Sequence, residues 1–333
     1  MAVDYRLMQI EEVPAVIRFW SQVFEMPEAY QAARFASDPA ASAHTYVAVL
    51  PDGAIVSTIH YRVSRRRGAT GLPHRVGEVD SVATRADARR QGHAERLLRL
   101  VLAALERAGC AWSLLSATDM GRSLYARHGW RSYPEPWRRG RVVRDVLETS
   151  EPYLVRPFDP VGAPAGWEQI ASVDIAFNHM RPLTVVRDPR YWREYAAVRV
   201  GNWMATEGLV ILAACRADAA RELCGYAMAE FYPVAFQIRD MGVLPSETAA
   251  IPALLRAVAQ EAQRRGSRLN GRLYLPHEPS IDAAVEDLFG ATLQHGQDQG
   301  QLMARPIGSH VTSQELDTLF AAPRAIISSI DLF

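Results

Sequence analysis

The run Arg89-Arg90-Gln91-Gly92-His93-Ala94 places two arginines, a glycine and a small residue at the mouth of a helical pattern. A helix N-terminus offers free backbone N–H groups and a positive partial charge, and phosphate oxygens bind there. Gly92 removes the Cβ that would hold a phosphate off. Ala94 keeps the next turn small, and Arg89 and Arg90 add charge-assisted hydrogen bonds. The chemistry implied is phosphate capture; an ordinary capped helix with solvated arginines is the bland alternative.

A second group could move protons. Glu78 and Asp80 stand two apart in "GEVDSVAT", so a strand there turns both carboxylates to one face. His74 sits just before that strand, and His60 lies on another strand where either face is open to it. His128, within "YARHGW", reads as packing or surface. Trp20, Phe24, Glu25 and Glu28, with Tyr30 and Phe35, would give aromatic walls and carboxylates suited to a cationic amine. An ordinary amphipathic helix pair explains them equally well. Cys110, Cys215 and Cys224 show no paired spacing, so they read as small core residues of a reduced, cytoplasmic protein and no metal is expected.

The elements that must position these groups follow from periodicity. Helix is expected over "PAVIRFWSQVFE", strand over "TYVAVL", and a hairpin turn at Asp52–Gly53 into "AIVSTIHYRV". After the Gly77–Thr84 strand, apolar or small residues recur at 94, 97, 98, 101, 102, 105 and 108, the stripe of a helix packed on a sheet. Gly109 stands where a left-handed stop belongs. "WSLLSA" reads as a buried strand and "SLYARHG" as a short helix. The second half repeats the order, from "GWEQIASVDIAF" through the hairpin "LVILAACR"/"ELCGYAMAEF", the strand "FQIRDMGVL" and the helix before Gly266, to "RLYLP" and "SIDAAVEDLFG". Two similar units suggest duplication, joined by the Pro/Gly-rich "RPFDPVGAPAG".

Bulk numbers narrow the classes. A chain of 333 residues with 49% apolar and 22% charged residues fits a globular protein of two domains. No run is apolar enough for a membrane span, and the acidic start "MAVDYRLMQIEEVP" lacks a signal peptide's basic head. Net charge is zero, yet residues 1–150 carry 21 Arg against 16 acids and the remainder 16 Arg against 21 acids. A mildly basic first half suits an anionic cofactor. The basic residues are not interleaved with aromatics along one face, so nucleic acid is excluded as partner. There is no lysine, which compositional bias explains.

The turn at 89–94, with a strand before it and a helix, a strand and "SLYARHGW" after it, resembles the GCN5-related N-acetyltransferase (GNAT) superfamily, whose pyrophosphate loop reads R/Q-x-x-G-x-G/A. "VATRADARRQGHAERLL" and "LYARHGW" are most similar to its enhanced intracellular survival (Eis) branch of tandem GNAT units. The likeness is specific over about residues 10–135, architectural over 165–307, and absent beyond, where that branch has a sterol-carrier-like domain. The fold class implied is α/β (α+β): two tandem GNAT-like units, each a mixed, mainly antiparallel central sheet flanked by helices. The boundaries expected are 1–155 for the catalytic unit, 156–308 for a degenerate copy and 309–333 for a tail.

The resemblance implies an acetyl-CoA-dependent transfer to the primary amine of a small molecule or a lysine. The backbone at Val82, Ala83 and Thr84 would pair with the pantetheine arm, and the amides of Arg90 through Glu95 (Gln91, Gly92, His93 and Ala94 between them) would hold the pyrophosphate. Met120 and Gly121 would line the cofactor further on. Tyr125 would be the general acid, its alternative being a core tyrosine against Trp130. For the base, Glu78, Asp80 and the terminal carboxylate of Phe333 stay open. The second unit's "DMGVLPSETAAIPALL" lacks the glycine and arginines, so it is expected to bind no acyl-CoA. A non-enzymatic acyl-CoA-binding scaffold, a different acyl donor and homo-oligomerisation also stay open.

Overall fold

Among the described residues fourteen strands sort into two sheets, and the order of strands within each decides where the site lies. The computed structural model describes residues 2–134, 136–143, 145–146, 152–163, 165–206, 208–218, 222–290, 292–295 and 301–331. The chain opens with β1 (Asp4–Leu7), α1 (Val13–Phe24), α2 (Glu28–Ala36) and α3 (Ala41–His44). Strands β2 (Thr45–Val49), β3 (Ile55–Arg67) and β4 (Pro73–Thr84) form an antiparallel meander. Gly53, at φ 86, makes the expected first turn. Then come α4 (His93–Arg107), β5 (Trp112–Ser116), α5 (Asp119–Arg127), β6 (Arg131–Ser132) and β7 (Pro136–Gly140).

The second half runs β8 (Tyr153–Pro157), α6 (Gly166–Asn178), a π-helical stretch Tyr191–Ala196 leading into α7 (Ala197–Thr206), then β9 (Val210–Arg216), β10 (Leu223–Phe231) and β11 (Ala235–Val243). It continues through α8 (Ala250–Arg264), β12 (Asn270–Leu273), α9 (Pro279–Phe289), β13 (Thr292–His295), β14 (Leu302–Pro306) and α10 (Ser313–Phe320). The duplicated order read from the sequence is therefore present. Each sheet is mixed and mainly antiparallel: among the described residues only β4–β5 and β11–β12 pair in parallel.

The sheets exchange strands. The first is ordered β1-β2-β3-β4-β5-β14-β6, the second β13-β7-β12-β11-β10-β9-β8. A cut between residues 155 and 156 thus runs through β8, leaves β7 in the second sheet and takes β14 out of the first. The reason is local: β5 is paired on one side only near its start, and the apolar Leu302, Met303 and Ala304 of β14 cover its other edge, all almost fully buried.

Helix α4 packs on the first sheet as its stripe requires, with Leu97, Leu98, Val101 and Leu105 fully buried. It ends at Gly109, whose φ of 66 is the left-handed stop expected. Its counterpart α8 buries Leu254, Leu255, Val258 and Ala259 on the second sheet. The three cysteines are free and buried. Among the described residues no helix is long and apolar enough to cross a membrane.

Two contacts lock the halves together. The segment after α6 adds to the end of β3: Arg67 N donates to Thr184 O, Leu183 N to Arg67 O and Val186 N to Arg65 O. Buried Arg66 donates to Leu183 O as well. The tail then folds back, and residues 325–331 are all buried. Arg187, itself buried, bonds Asp331 of that tail at 2.7 Å, along with Asp174 of α6 and Asp240 of β11 at 2.8 Å each. One guanidinium thus ties helix, strand and tail.

Candidate active site

Parallel strands β4 and β5 pair only at Val76–Trp112, Gly77–Ser113 and Glu78–Leu114. Beyond Glu78 they part, so β4 shows an unpaired edge over residues 79–84. The divergence has a visible cause. Opposite Ile59 of β3 stand two residues of β4, since Thr58 pairs with Ala83 and His60 with Asp80. That is a β-bulge, which bends and twists its strand. Ser81 sits in it at φ 47, the left-handed region that a non-glycine residue adopts only when held. What holds it is a short chain of hydrogen bonds: Trp20 Nε1 donates to Thr58 Oγ1 at 2.8 Å, and Thr58 Oγ1 donates to Ser81 O at 3.2 Å.

The cleft so opened faces the turn that the sequence singled out. Gly92 caps α4 in the left-handed conformation at φ 82, and a Cβ built there would meet nothing within 4 Å. Arg90 (φ 64), Gln91 and Gly92 are exposed at the N-terminus of α4, where the first-turn amides have no helical partner. Arg89 bonds back to Thr84 O at 3.2 Å. The His93 ring turns inward: Tyr5 Oη lies 2.7 Å from its Nδ1, and burial lowers its pKa, so it adds no charge at the turn. A cationic turn with no Cβ at Gly92, beside an unpaired strand, fits a pyrophosphate carrying an extended arm.

Tyr125 lies in the last turn of α5, not at its start as "SLYARHG" suggested, because α5 begins at Asp119. Thr118 caps it and lengthens it by a turn. Tyr125 is buried, its ring edge-on to Trp130, and a Cβ on Gly121 would press its Cε2 at 2.9 Å. Burial, with the nearby charge of Asp80, raises its pKa well above the usual phenol value. Among the described residues its hydroxyl has no hydrogen-bond partner. Met120, by contrast, is exposed on the surface of α5.

On the other side of the β4 bulge lies a cavity of about 290 Å3 between the two units. Its walls include Asp38, Arg62, Glu78, Asp188, Tyr195 and Asp331. A throat of about 10 Å3, lined by Trp20, Arg34, Phe35, His60, Asp80 and Arg199 among others, adjoins it and shares Ser37, Asp38 and Arg62.

Strand alternation does put Glu78 and Asp80 on this face, but their surroundings differ. Glu78 receives Arg66 Nε at 2.7 Å, Ser64 Oγ at 2.7 Å and Arg62 Nη2 at 3.0 Å. Its lone pairs are engaged, so it reads as a counter-ion. Asp80 has Arg34 at 3.5 Å on one oxygen, while Oδ1 is buried with no hydrogen-bond partner. Burial pushes the Asp80 carboxyl up, yet the charges of Arg34, His60 and Arg62 outweigh it and hold the carboxyl below its ordinary value.

Of the aromatic and acidic residues expected to wall this pocket, Trp20 and Phe35 do line the throat. Phe24, Glu25, Glu28 and Tyr30 line neither cavity. Phe24 packs into the core beneath α1, Glu25 is that helix's left-handed cap at φ 54, and Glu28 and Tyr30 face solvent from α2. The helices turn an apolar stripe inward that takes Phe24 into the core, and Glu25, Glu28 and Tyr30 fall off it. Phe333 lies outside the described residues; the tail is followed to Asp331.

The sequence reading left the face of His60 open, and it did not name Asp38, His44, Arg62, Tyr195 or Arg199. His60 faces inward, its Nδ1 3.0 Å from Thr45 Oγ1 and its Nε2 3.4 Å from Asp38, which also meets His44 at 3.2 Å. Those contacts, set against burial, hold Asp38 far below the usual carboxylate range. Arg62, Ser64 and Arg66 share the face of Glu78 by alternation along β3, a signal that was readable. Tyr195 and Arg199 come from the second unit, and no local pattern pointed to them.

Residues 4–133 match the acetyltransferase (GNAT) domain family. The first unit is a GNAT acetyltransferase domain. No curated protein sequence matches the chain significantly. The tandem arrangement is seen in solved structures. A GCN5-related N-acetyltransferase from Anabaena variabilis has a TM-score of 0.67 at 14% identity, over 92% of this chain and 73% of that one. Eis1 from Mycobacterium abscessus gives 0.60 at 14%, over 92% and 74%. A tandem GNAT protein from the clavulanic acid biosynthesis pathway gives 0.57 at 13%, over 92% and 99%. At these identities the likeness is one of fold: two GNAT-like units in one chain.

Proposed function

We propose that the GNAT unit transfers an acyl group from acetyl-CoA to the primary amine of a small molecule, by direct attack across the β4–β5 cleft. The observation that carries this is the juxtaposition of the bulged, unpaired edge of β4, the bare turn at Gly92 and the cavity on the far side of the same bulge. Acetyl-CoA, when bound, supplies an activated acyl thioester. The amides of Arg90 through Glu95 hold its pyrophosphate, and the free edge at Val82–Thr84 pairs with its pantetheine arm. An amide of that edge donates to the thioester oxygen as charge builds there.

Asp80 Oδ1 receives an N–H of the incoming amine and takes up the proton released as the new C–N bond forms. Tyr125 gives its hydroxyl proton to the sulfur as the C–S bond breaks, so charge balances. Its raised pKa keeps the hydroxyl protonated at neutral pH, and the proton must therefore leave together with the developing thiolate. Glu78 holds Arg62 and Arg66 in place. The second unit, whose turn at Pro245–Glu247 lacks the glycine and arginines, binds no acyl-CoA.

The test is thiol release from acetyl-CoA with amines, comparing wild type with Tyr125→Phe. Turnover should fall by roughly 10²–10⁴ with acetyl-CoA affinity little changed, since the ring still packs on Trp130. Near-normal turnover would make Tyr125 a packing residue.

A further inference from the structure

A primary alkyl amine arrives at neutral pH as an ammonium ion, since its pKa is about 10, as in a lysine side chain. Two protons must then leave its nitrogen, one before it can attack and one as the C–N bond forms. Asp80 takes the second in the reaction above. The first needs an acceptor that is uncharged at rest and reaches the same nitrogen. The place to meet it is the throat, where Asp80 Oδ1 is buried without a hydrogen-bond partner. At about 10 Å3 the throat holds roughly one water-sized group, the size of an –NH₃⁺ tip.

His60 stands in the right position. It pairs directly with Asp80 across β3 and β4, so the two side chains leave the sheet on one face as close neighbours, and both line the throat. Its tautomer follows from the bonds of Thr45. Thr45 Oγ1 donates its one proton to Ala41 O at 2.7 Å, so at its 3.0 Å contact with His60 Nδ1 it can only accept. Nδ1 therefore carries the ring proton, and in the neutral imidazole Nε2 holds the lone pair. The carboxylate of Asp38, another throat residue, lies 3.4 Å from Nε2. It is placed to stabilise an imidazolium as soon as one forms. The Trp20 ring, its centroid 6.1 Å away and edge-on, backs the imidazole.

We infer that His60 is a second base of this site, the one that turns the arriving ammonium into a nucleophile. One N–H of the ammonium bonds Asp80 Oδ1 and another bonds His60 Nε2. Nε2 takes the second of these protons, the N–H bond breaks with its electron pair left on nitrogen, and Asp38 holds the imidazolium so formed. The neutral amine then attacks the thioester, and Asp80 takes up the remaining proton. The two acceptors divide the work by their surroundings. Asp80, already charged, binds the cation, whereas an imidazole is the side chain that changes charge near neutral pH. Asp38 and Asp80 favour the imidazolium; Arg34, Arg62 and Arg199, which line the same throat, oppose it, and His44 competes for Asp38 from 3.2 Å. The inference rests on the acyl-transfer reading above, and it is tested separately from it.

The experiment uses the full chain and two amines of one length. Ethylamine is an ammonium ion at neutral pH; trifluoroethylamine is uncharged there, because its fluorines withdraw charge from the nitrogen. Thiol release from acetyl-CoA is followed for wild type and His60→Gln, and the histidine ring nitrogens are followed by NMR with CoA bound. His60→Gln should lower kcat/KM for ethylamine by about 10²–10⁴, the range of a lost general base, and for trifluoroethylamine by far less, since that amine has no first proton to lose. Saturating ethylamine should convert one wild-type ring from the singly to the doubly protonated form, a change absent with trifluoroethylamine and in His60→Gln. Asp38→Asn leaves the imidazole in place and serves if His60→Gln does not fold. With the carboxylate gone the imidazolium is less favoured, so the limb along which kcat/KM for ethylamine rises with pH should move to lower pH and its plateau should fall. Equal losses for the two amines, an unmoved limb in Asp38→Asn, or an ethylamine complex with no newly protonated ring overturns the inference and leaves acyl transfer standing. A newly protonated His60 ring without thiol release from either amine supports the base and overturns acyl transfer.

Discussion

Glu78→Gln separates a structural anion from a general base. Glu78 is 2% exposed and Arg66 is fully buried, and the two are joined at 2.7 Å with Arg62 on the other oxygen. Glutamine keeps the shape and one acceptor, but removes the charge that balances two guanidinium groups and turns an NH₂ toward them. Breaking a buried pair by removing one partner costs about 3–5 kcal/mol, because the remaining charge stays buried and unmatched. At about 2–4 °C per kcal/mol for a large domain, the melting temperature should fall by roughly 10 °C. Because Arg66 also holds Leu183 O, the loosening should reach the contact between the units. The assay is urea unfolding followed by fluorescence, paired with thiol-release kinetics well below the melting point. The counter-ion reading expects lower stability with turnover reduced far less than the ~10²–10⁴ of a lost general base. Unchanged stability with turnover lost would refute it and make Glu78 the base.

Gly92→Ala should cost about 1–2 kcal/mol, the penalty for a Cβ in the left-handed region, and leave the fold intact. Gly92→Glu should weaken CoA binding at least tenfold further by calorimetry, and equal affinity would remove the pyrophosphate assignment. Asp174 gives a pH prediction. Its carboxyl is pushed up to about 6 by burial, with Arg187 opposing and Asp240 and Asp331 reinforcing, against about 3.9 in an unfolded chain. Between those values the folded state holds the extra proton, so stability from this group is full below about pH 4 and is lost as pH rises through 6. Denaturation from pH 4.5 to 7.5 should show a fall on the order of 1–3 kcal/mol from this group. Asp174→Asn should flatten that fall; the same slope in the variant would place the titration elsewhere.

Much of the first unit was written locally. The stripe from Leu97 to Leu105, the stops at Gly109 and Gly266 and the bare turn at Gly92 follow from helical period and left-handed backbone preference, which a few neighbouring residues decide. The period of two gave Glu78 and Asp80 one face, and would have given Arg62, Ser64 and Arg66 the same. Local pattern could not decide what those side chains meet. Glu78 and Asp80 look alike in sequence; Arg66 from the neighbouring strand makes one a counter-ion, and the bulge at Ser81, held from Trp20 in a distant helix, leaves the other with an open oxygen. Tertiary structure alone sends β14 across to cover β5 and β7 across to the second sheet, because an unpaired strand edge is satisfied by whichever segment reaches it. It alone brings Tyr195, Arg199 and Asp331 from the second unit to the cavity. Periodicity says which face of an element is buried. The partner that buries it is fixed by long-range packing, which no short window of sequence contains.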